Sequence, residues 1–182
     1  MAITSQASRN PCDPKVAYNI GWDAGLYGLT YFDSWPADFR TGWAEARKRH
    51  PRPKKSDKFI RKWIQLRAGA FQRGKAFSEE VTPNYLRMIC GAICPVTFRP
   101  FTYAKMNDED WSIDRIDNDR GYERRNLAAF SAHVNRAKSD LSFNDVEEFC
   151  LKRHNVPGLT VWETANLYRV MIPFCAPREP DF

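Results

Sequence analysis

Between Trp111 and Asp140 the chain reads WSIDRIDNDRGYERRNLAAFSAHVNRAKSD, and several of its side chains could hold a metal ion against a phosphate. Asp114 offers a carboxylate and Asn135 an amide oxygen, hard ligands suited to Mg2+ or Mn2+ rather than zinc. Two protein ligands leave coordination positions open for waters and phosphate oxygens, as phosphodiester cleavage requires. Arg115 stands directly after Asp114, where that chemistry would want a base. A guanidinium stays protonated, so it can clamp a phosphate or stabilise developing charge but cannot take a proton from water. Asp117 lies two residues beyond and shares the face of Arg115 if the strand continues, which makes it the better candidate base. His133 lies two residues before Asn135, roughly 160° away on a helix, a position for packing or for DNA.

These residues need elements to position them. WSIDRI reads as a strand ending near Asp114, preceded by a strand or hairpin in CPVTFRPFTYAK (residues 94–105) and followed by a helix over NLAAFSAHVNRAK (residues 126–138). The expected order is strand, turn, strand, loop, helix. On the amino-terminal side, VAYNIGWDAGLYGL and SWPADFRTGWAEARKRH read as two short helices, with Ser34 as a cap. Gly21, Gly25, Gly28 and Gly42 let their backbones approach. Ser56 is a candidate cap for a helix striped by Phe59, Ile60, Trp63, Ile64, Ala70 and Phe71. Thr82 and Pro83 open a further helix over PNYLRMICGAI. Downstream, Ser142 starts a helix through a capping box, and Thr160 with Glu163 starts a last one reaching about Ile172. The fold class is therefore α+β and mostly helical. The expected organisation is an extended amino terminus to residue 15, a helical pair over 16–50, a basic linker over 51–55 and a domain over 56–182.

Composition narrows the partners. The formal charge is +6, and the excess is clustered. RKRHPRPKKSDKFIRK (Arg47–Lys62) carries nine Lys and Arg against one Asp. Such a cluster attracts polyanions, and Lys54, Lys55, Lys58, Arg61 and Lys62 are its candidate nucleic-acid contacts. The first residues lack the apolar centre of a secretory signal, and no apolar run is long enough to span a membrane, so no membrane partner and a cytoplasmic setting are expected. Five scattered Cys suit a reducing compartment better than a disulfide framework.

Asp114-Arg115-Ile116, Asn126-Leu127, Asn135 and Lys138 stand in a register that resembles the HNH, or ββα-metal, nuclease motif. CPVTFRPF with SIDRIDNDRGY is similar to its phage-type branch, and NRAKSD to the closing motif of the HNH domain in RNA-guided CRISPR nucleases. The resemblance spans about residues 90–142. It implies a ββα finger flanked by helices that hydrolyses phosphodiester bonds in duplex DNA, in a bacterial or phage-infected cell. In that reading Asp114 and Asn135 hold one Mg2+ or Mn2+, and Asn126 hydrogen-bonds across the loop. Lys138 and Arg136 contact phosphate. Many members of the family also hold a structural zinc on two Cys pairs. Here Cys90 and Cys94 match the first pair, but Ser131 and Val134 stand at the second, so no zinc is expected and the two Cys read as small buried thiols. The family's His base is Arg115 in this chain. That departure leaves room for a catalytically inactive nucleic-acid- or ribosome-binding protein, or for a protein-binding adaptor or inhibitor. AYNIGWDAGLYG followed by WPADFRTGWAEAR (about residues 17–46) is similar to the ribosome modulation factor family, which implies RNA or the ribosome as a partner of this segment.

Overall fold

Asp13 and Pro14 open the first helix: Pro14 needs no amide partner in the first turn, and the Asp13 carboxylate accepts the Lys15 N–H at 2.8 Å. The computed structural model describes residues 13–31 and 33–175, so most of the segment read as an extended amino terminus lies outside the described residues. These carry seven helices and one two-stranded antiparallel sheet, an α+β, mostly helical architecture. The chain divides into two compact units, Met1–Arg87 with Gly121–Glu123, and Met88–Arg120 with Arg124–Phe182.

The amino-terminal unit is built on α1 (Pro14–Leu26), α2 (Ala37–Arg49) and α3 (Lys58–Gln72). Glycine sets the approach of α1 to α2. A Cβ at Gly21 would lie 1.9 Å from Phe39 O, one at Gly25 2.5 Å from Trp43 O, and one at Gly42 2.1 Å from Tyr18 O. Gly28 has another reason to be glycine, a φ of +68° in the turn after α1. Ala17, Ile20, Ala24 and Phe39 are covered by Ile64 of α3, with Ile60, Trp63, Ala68 and Phe71 packed around them. The apolar stripe of α3 thus belongs to the same core as the helical pair. For this reason residues 51–55 do not separate two units, and the division falls after Arg87 instead.

Local chemistry moves two of the expected caps. Asp57, not Ser56, caps α3, accepting the amides of Phe59 and Ile60 at 3.0 and 2.9 Å, while the Ser56 hydroxyl accepts Arg61 Nε. The Ile60 amide, helped by Arg87 at 2.5 Å, holds the Asp57 carboxyl below its usual range. Ser34 makes no cap, because α2 starts at Ala37 behind Pro36. Helix α4 (Pro83–Ile89) also ends sooner than expected, before Cys90. The Gly121–Glu123 segment is held by Tyr122, whose backbone pairs with Ala76 and Ser78 and whose hydroxyl accepts Arg73 at 2.6 Å.

The carboxy-terminal unit contains β1 (Trp111–Arg115), β2 (Leu127–Ser131), α5 (Ala132–Lys138), α6 (Phe143–Leu151) and α7 (Val161–Cys175). Trp111 pairs with Ser131 and Arg115 with Leu127. The partner of β1 therefore follows it in the chain and does not precede it. LAAFS, expected to be helical, is β2, and all five of its residues are buried. A short apolar run buried on both faces shows no period by which to tell strand from helix. The stretch expected as the first strand or hairpin is a tight knuckle with two isolated bridges, Ile93 to Pro100 and Thr102 to Asp110, and no ladder. Asn166 Nδ2 of α7 donates to Val96 O in that knuckle at 3.0 Å. The capping boxes at Ser142–Asp145 and Thr160–Glu163 are both formed. Helix α7 runs past Ile172 to Cys175, with Pro173 inside it.

Candidate metal and nucleic-acid site

The site is built on one face of β1 and one face of α5. Side chains alternate along a strand, so Ser112 and Asp114 share a face. On α5, Asn135 and Lys138 are three residues apart and also share a face. The two faces meet. Asn135 Nδ2 donates to Ser112 Oγ at 2.9 Å, and Lys138 Nζ lies 2.9 Å from Asp114 Oδ2. Ser112 was not singled out from the sequence, although its alternation with Asp114 marked it.

Asp114 is 9% exposed and Lys138 not at all. Lys138 Nζ donates to Arg115 O at 3.0 Å and forms a buried ion pair with Asp114 Oδ2 at 2.9 Å. Oδ2 is thus a fully covered carboxylate oxygen with the Lys138 ammonium beside it. Burial pushes the Asp114 carboxyl above its usual range, and the Lys138 ammonium opposes that shift. Lys138 was expected to contact phosphate. It does not, because its ammonium is consumed inside the unit. Arg136 is exposed but ion-paired with Asp108, so a phosphate would have to compete with that carboxylate.

Arg115 has a structural task. Its guanidinium donates from NH1 to Asn118 O and Arg120 O, both at 2.8 Å, and so gathers the carbonyls of the turn after β1. Asn126, 1% exposed, completes that turn: its Oδ1 accepts the Asp117 N–H at 2.9 Å and its Nδ2 donates to Asp117 O at 3.0 Å. The strand stops at Arg115, so the alternation that would put Asp117 on the face of Arg115 no longer applies. Asp117 Oδ1 accepts the Asp119 amide at 2.9 Å, a local turn that leaves Oδ2 as the oxygen available to a proton. His133 lies in the first turn of α5, and its backbone amide donates to Asp108 O. The hydrogen bonds of Asp117 run to Asp119 and Asn126 and that of the His133 amide to Asp108, not to Asp114 or Asn135.

The residues fit a hydrated divalent cation in one respect and resist it in another. They offer a buried carboxylate and, with Asn135 Nδ2 engaged on Ser112, an amide Oδ1 left to ligate. Against this, Lys138 already neutralises the carboxylate. Among the described residues no group of three or more His, Cys, Asp and Glu is placed to hold a metal. Cys90 is half-buried, its thiol donating to Gly91 O, and Cys94 is buried. In the amino-terminal unit Lys54, Lys55, Lys58 and Arg61 are exposed and Lys62 is half-buried, so the basic segment presents its charge to solvent. No helix among the described residues is long and apolar enough to cross a membrane.

Comparison of the chain with family models, with curated proteins and with solved structures found no match.

Proposed function

We propose that the ββα unit is a metal-dependent endonuclease site acting on DNA, with Asp114 and Asn135 as the protein ligands of one Mg2+ or Mn2+. The observation that supports this reading is the buried Asp114 carboxylate on the face of β1 that meets the turn of α5 carrying Asn135 and Lys138. When bound, the cation supplies Lewis-acid stabilisation of a phosphodiester oxygen. The chain's own residues do the rest. Asn126 and Arg115 fix the turn after β1, and Ser112 orients the Asn135 amide. The exposed cations of Arg47–Lys62 supply affinity for the backbone without reading sequence. Arg115 takes no proton, so the base is Asp117 through Oδ2, or a hydroxide from solvent. An ionised Asp is a weak base, which implies slow turnover that improves at mildly alkaline pH.

The Lys138 ammonium, 2.9 Å from Asp114 Oδ2, favours a second reading: a finger that binds nucleic acid without cutting it. Nicking of supercoiled plasmid in Mg2+ and in Mn2+ separates the two. Wild type is expected to nick and Asn135→Ala to fall to the metal-free blank, whereas equal rates for both would remove the assigned site. Asn135→Ala is the better blank than a change at Asp114, because removing Asp114 strands a buried ammonium.

A further inference from the structure

The amino-terminal unit holds a cavity of about 400 Å3 between the α1–α2 turn and α3. Its walls are aromatic on one side, Trp35 with Phe39 beneath it, ring centroids 4.3 Å apart. On the other side α3 contributes Arg61, Gln65 and Gln72, residues that recur at helical spacing on one face and are all exposed at the mouth. Among the described residues no carboxylate lines it. A cation would find no counter-charge here, while a flat aromatic group with hydrogen-bonding edges would find a ring to stack on and two amides able both to donate and to accept.

The rim is continuous with the basic segment. Lys54 N donates to Leu26 O at 2.9 Å, and Pro53 lies against Gly28, which lines the cavity. Lys58 precedes Arg61 by three residues, one turn of α3. A pocket for a planar group thus opens beside a row of cations suited to phosphates. We propose that this cavity takes an unpaired nucleobase from a single strand of nucleic acid whose phosphates lie along Lys54, Lys55 and Lys58. Single strands are bound in this way elsewhere, by stacking on aromatic side chains beside a positive track. The inference does not rest on the metal site.

Binding is measured by fluorescence anisotropy with the full chain in EDTA. The probes are oligonucleotides of about ten nucleotides, within the span that single-strand sites cover. They are deoxy and ribo strands, an abasic strand with the same phosphates, and a duplex. Stacking one base is worth about tenfold in affinity, so the base-bearing strand is expected to bind about tenfold tighter than the abasic one. The deoxy and ribo arms tell which sugar is preferred. Ala68→Leu, which fills the cavity, should erase that preference while leaving affinity for the abasic strand unchanged. Gln65→Ala, at an exposed position that leaves folding alone, should reduce the preference. Neutralising Lys54, Lys55 and Lys58 should weaken both strands equally and flatten the salt dependence. Equal binding of base-bearing and abasic strands by wild type, tighter binding of the duplex, or a preference that survives both Ala68→Leu and Gln65→Ala would overturn the proposal.

Discussion

Lys138→Met is expected to destabilise the carboxy-terminal unit by about 3–5 kcal/mol at neutral pH, the usual cost of leaving one member of a buried ion pair behind. Lys138 is fully buried and its ammonium is 2.9 Å from Asp114 Oδ2. Without it the carboxylate keeps its burial and loses the charge that opposes the upward shift. The sign of the pH dependence follows. A carboxyl whose folded pKa exceeds its unfolded value is unfavourable when ionised, so the penalty is largest above the folded pKa and shrinks as pH falls through it. The gap between Lys138→Met and wild type should therefore narrow as pH falls below neutrality, measured by urea denaturation in EDTA. The double variant Asp114→Leu/Lys138→Met should recover most of the loss, since an apolar replacement of a buried pair is often neutral or better. A Lys138→Met protein as stable as wild type at pH 7 would show that the ammonium is solvated and the pair is not buried.

Gly42→Ala is expected to cost the amino-terminal unit about 3 kcal/mol, at the upper end for overpacking, because the new methyl must displace backbone and not a side chain. Its Cβ would stand 2.1 Å from Tyr18 O and 2.9 Å from Trp22 N, which forces α1 and α2 apart and loosens the core against Ile64. Gly91→Ala is the control. Its Cβ would meet only Ile93 O, at 3.8 Å, so a change within about 0.5 kcal/mol is expected. Tryptophan fluorescence during urea denaturation reports on this directly, since Trp22, Trp35, Trp43 and Trp63 all lie in the affected unit. Equal midpoints for the two variants would mean that the helices are not packed backbone to backbone.

The parts legible in the sequence were those set by neighbours in the chain. Both capping boxes could be read because their partners are three residues apart. The close helix pair could be read from Gly21, Gly25 and Gly42, although Gly28 serves a positive φ with Pro53 against it and not the approach of α1 to α2. The strand through Asp114 and the helix carrying Asn135 were placed by the spacing of their polar residues. What failed depended on pairing across distance. LAAFS was read as helix because nothing within it shows that β1 lies alongside. The linker at 51–55 looked like a boundary because its prolines are local, whereas the docking of α3 on α1 is not. Lys138 resembled a phosphate contact because a lysine's burial depends on a carboxylate 24 positions earlier. Arg115 posed the sharpest question, and its answer lay in two carbonyls of the following turn, which carry no side-chain signature.

Uptake of Mn2+, followed by the electron paramagnetic resonance signal of the free ion, tests the metal assignment without requiring turnover. Wild type and Asn135→Ala are titrated side by side, each with and without a phosphodiester dinucleotide to fill the open coordination positions. Asn135→Ala forfeits one hydrogen bond to Ser112, about 1 kcal/mol, so it should remain folded for the comparison. Expected is one weakly held Mn2+ per wild-type chain, tightened by the phosphodiester, and a loss of at least about tenfold in affinity for Asn135→Ala. Identical uptake by the two proteins, or none by wild type even with the phosphodiester present, would contradict the assignment and leave the finger as a nucleic-acid-binding element closed by Lys138.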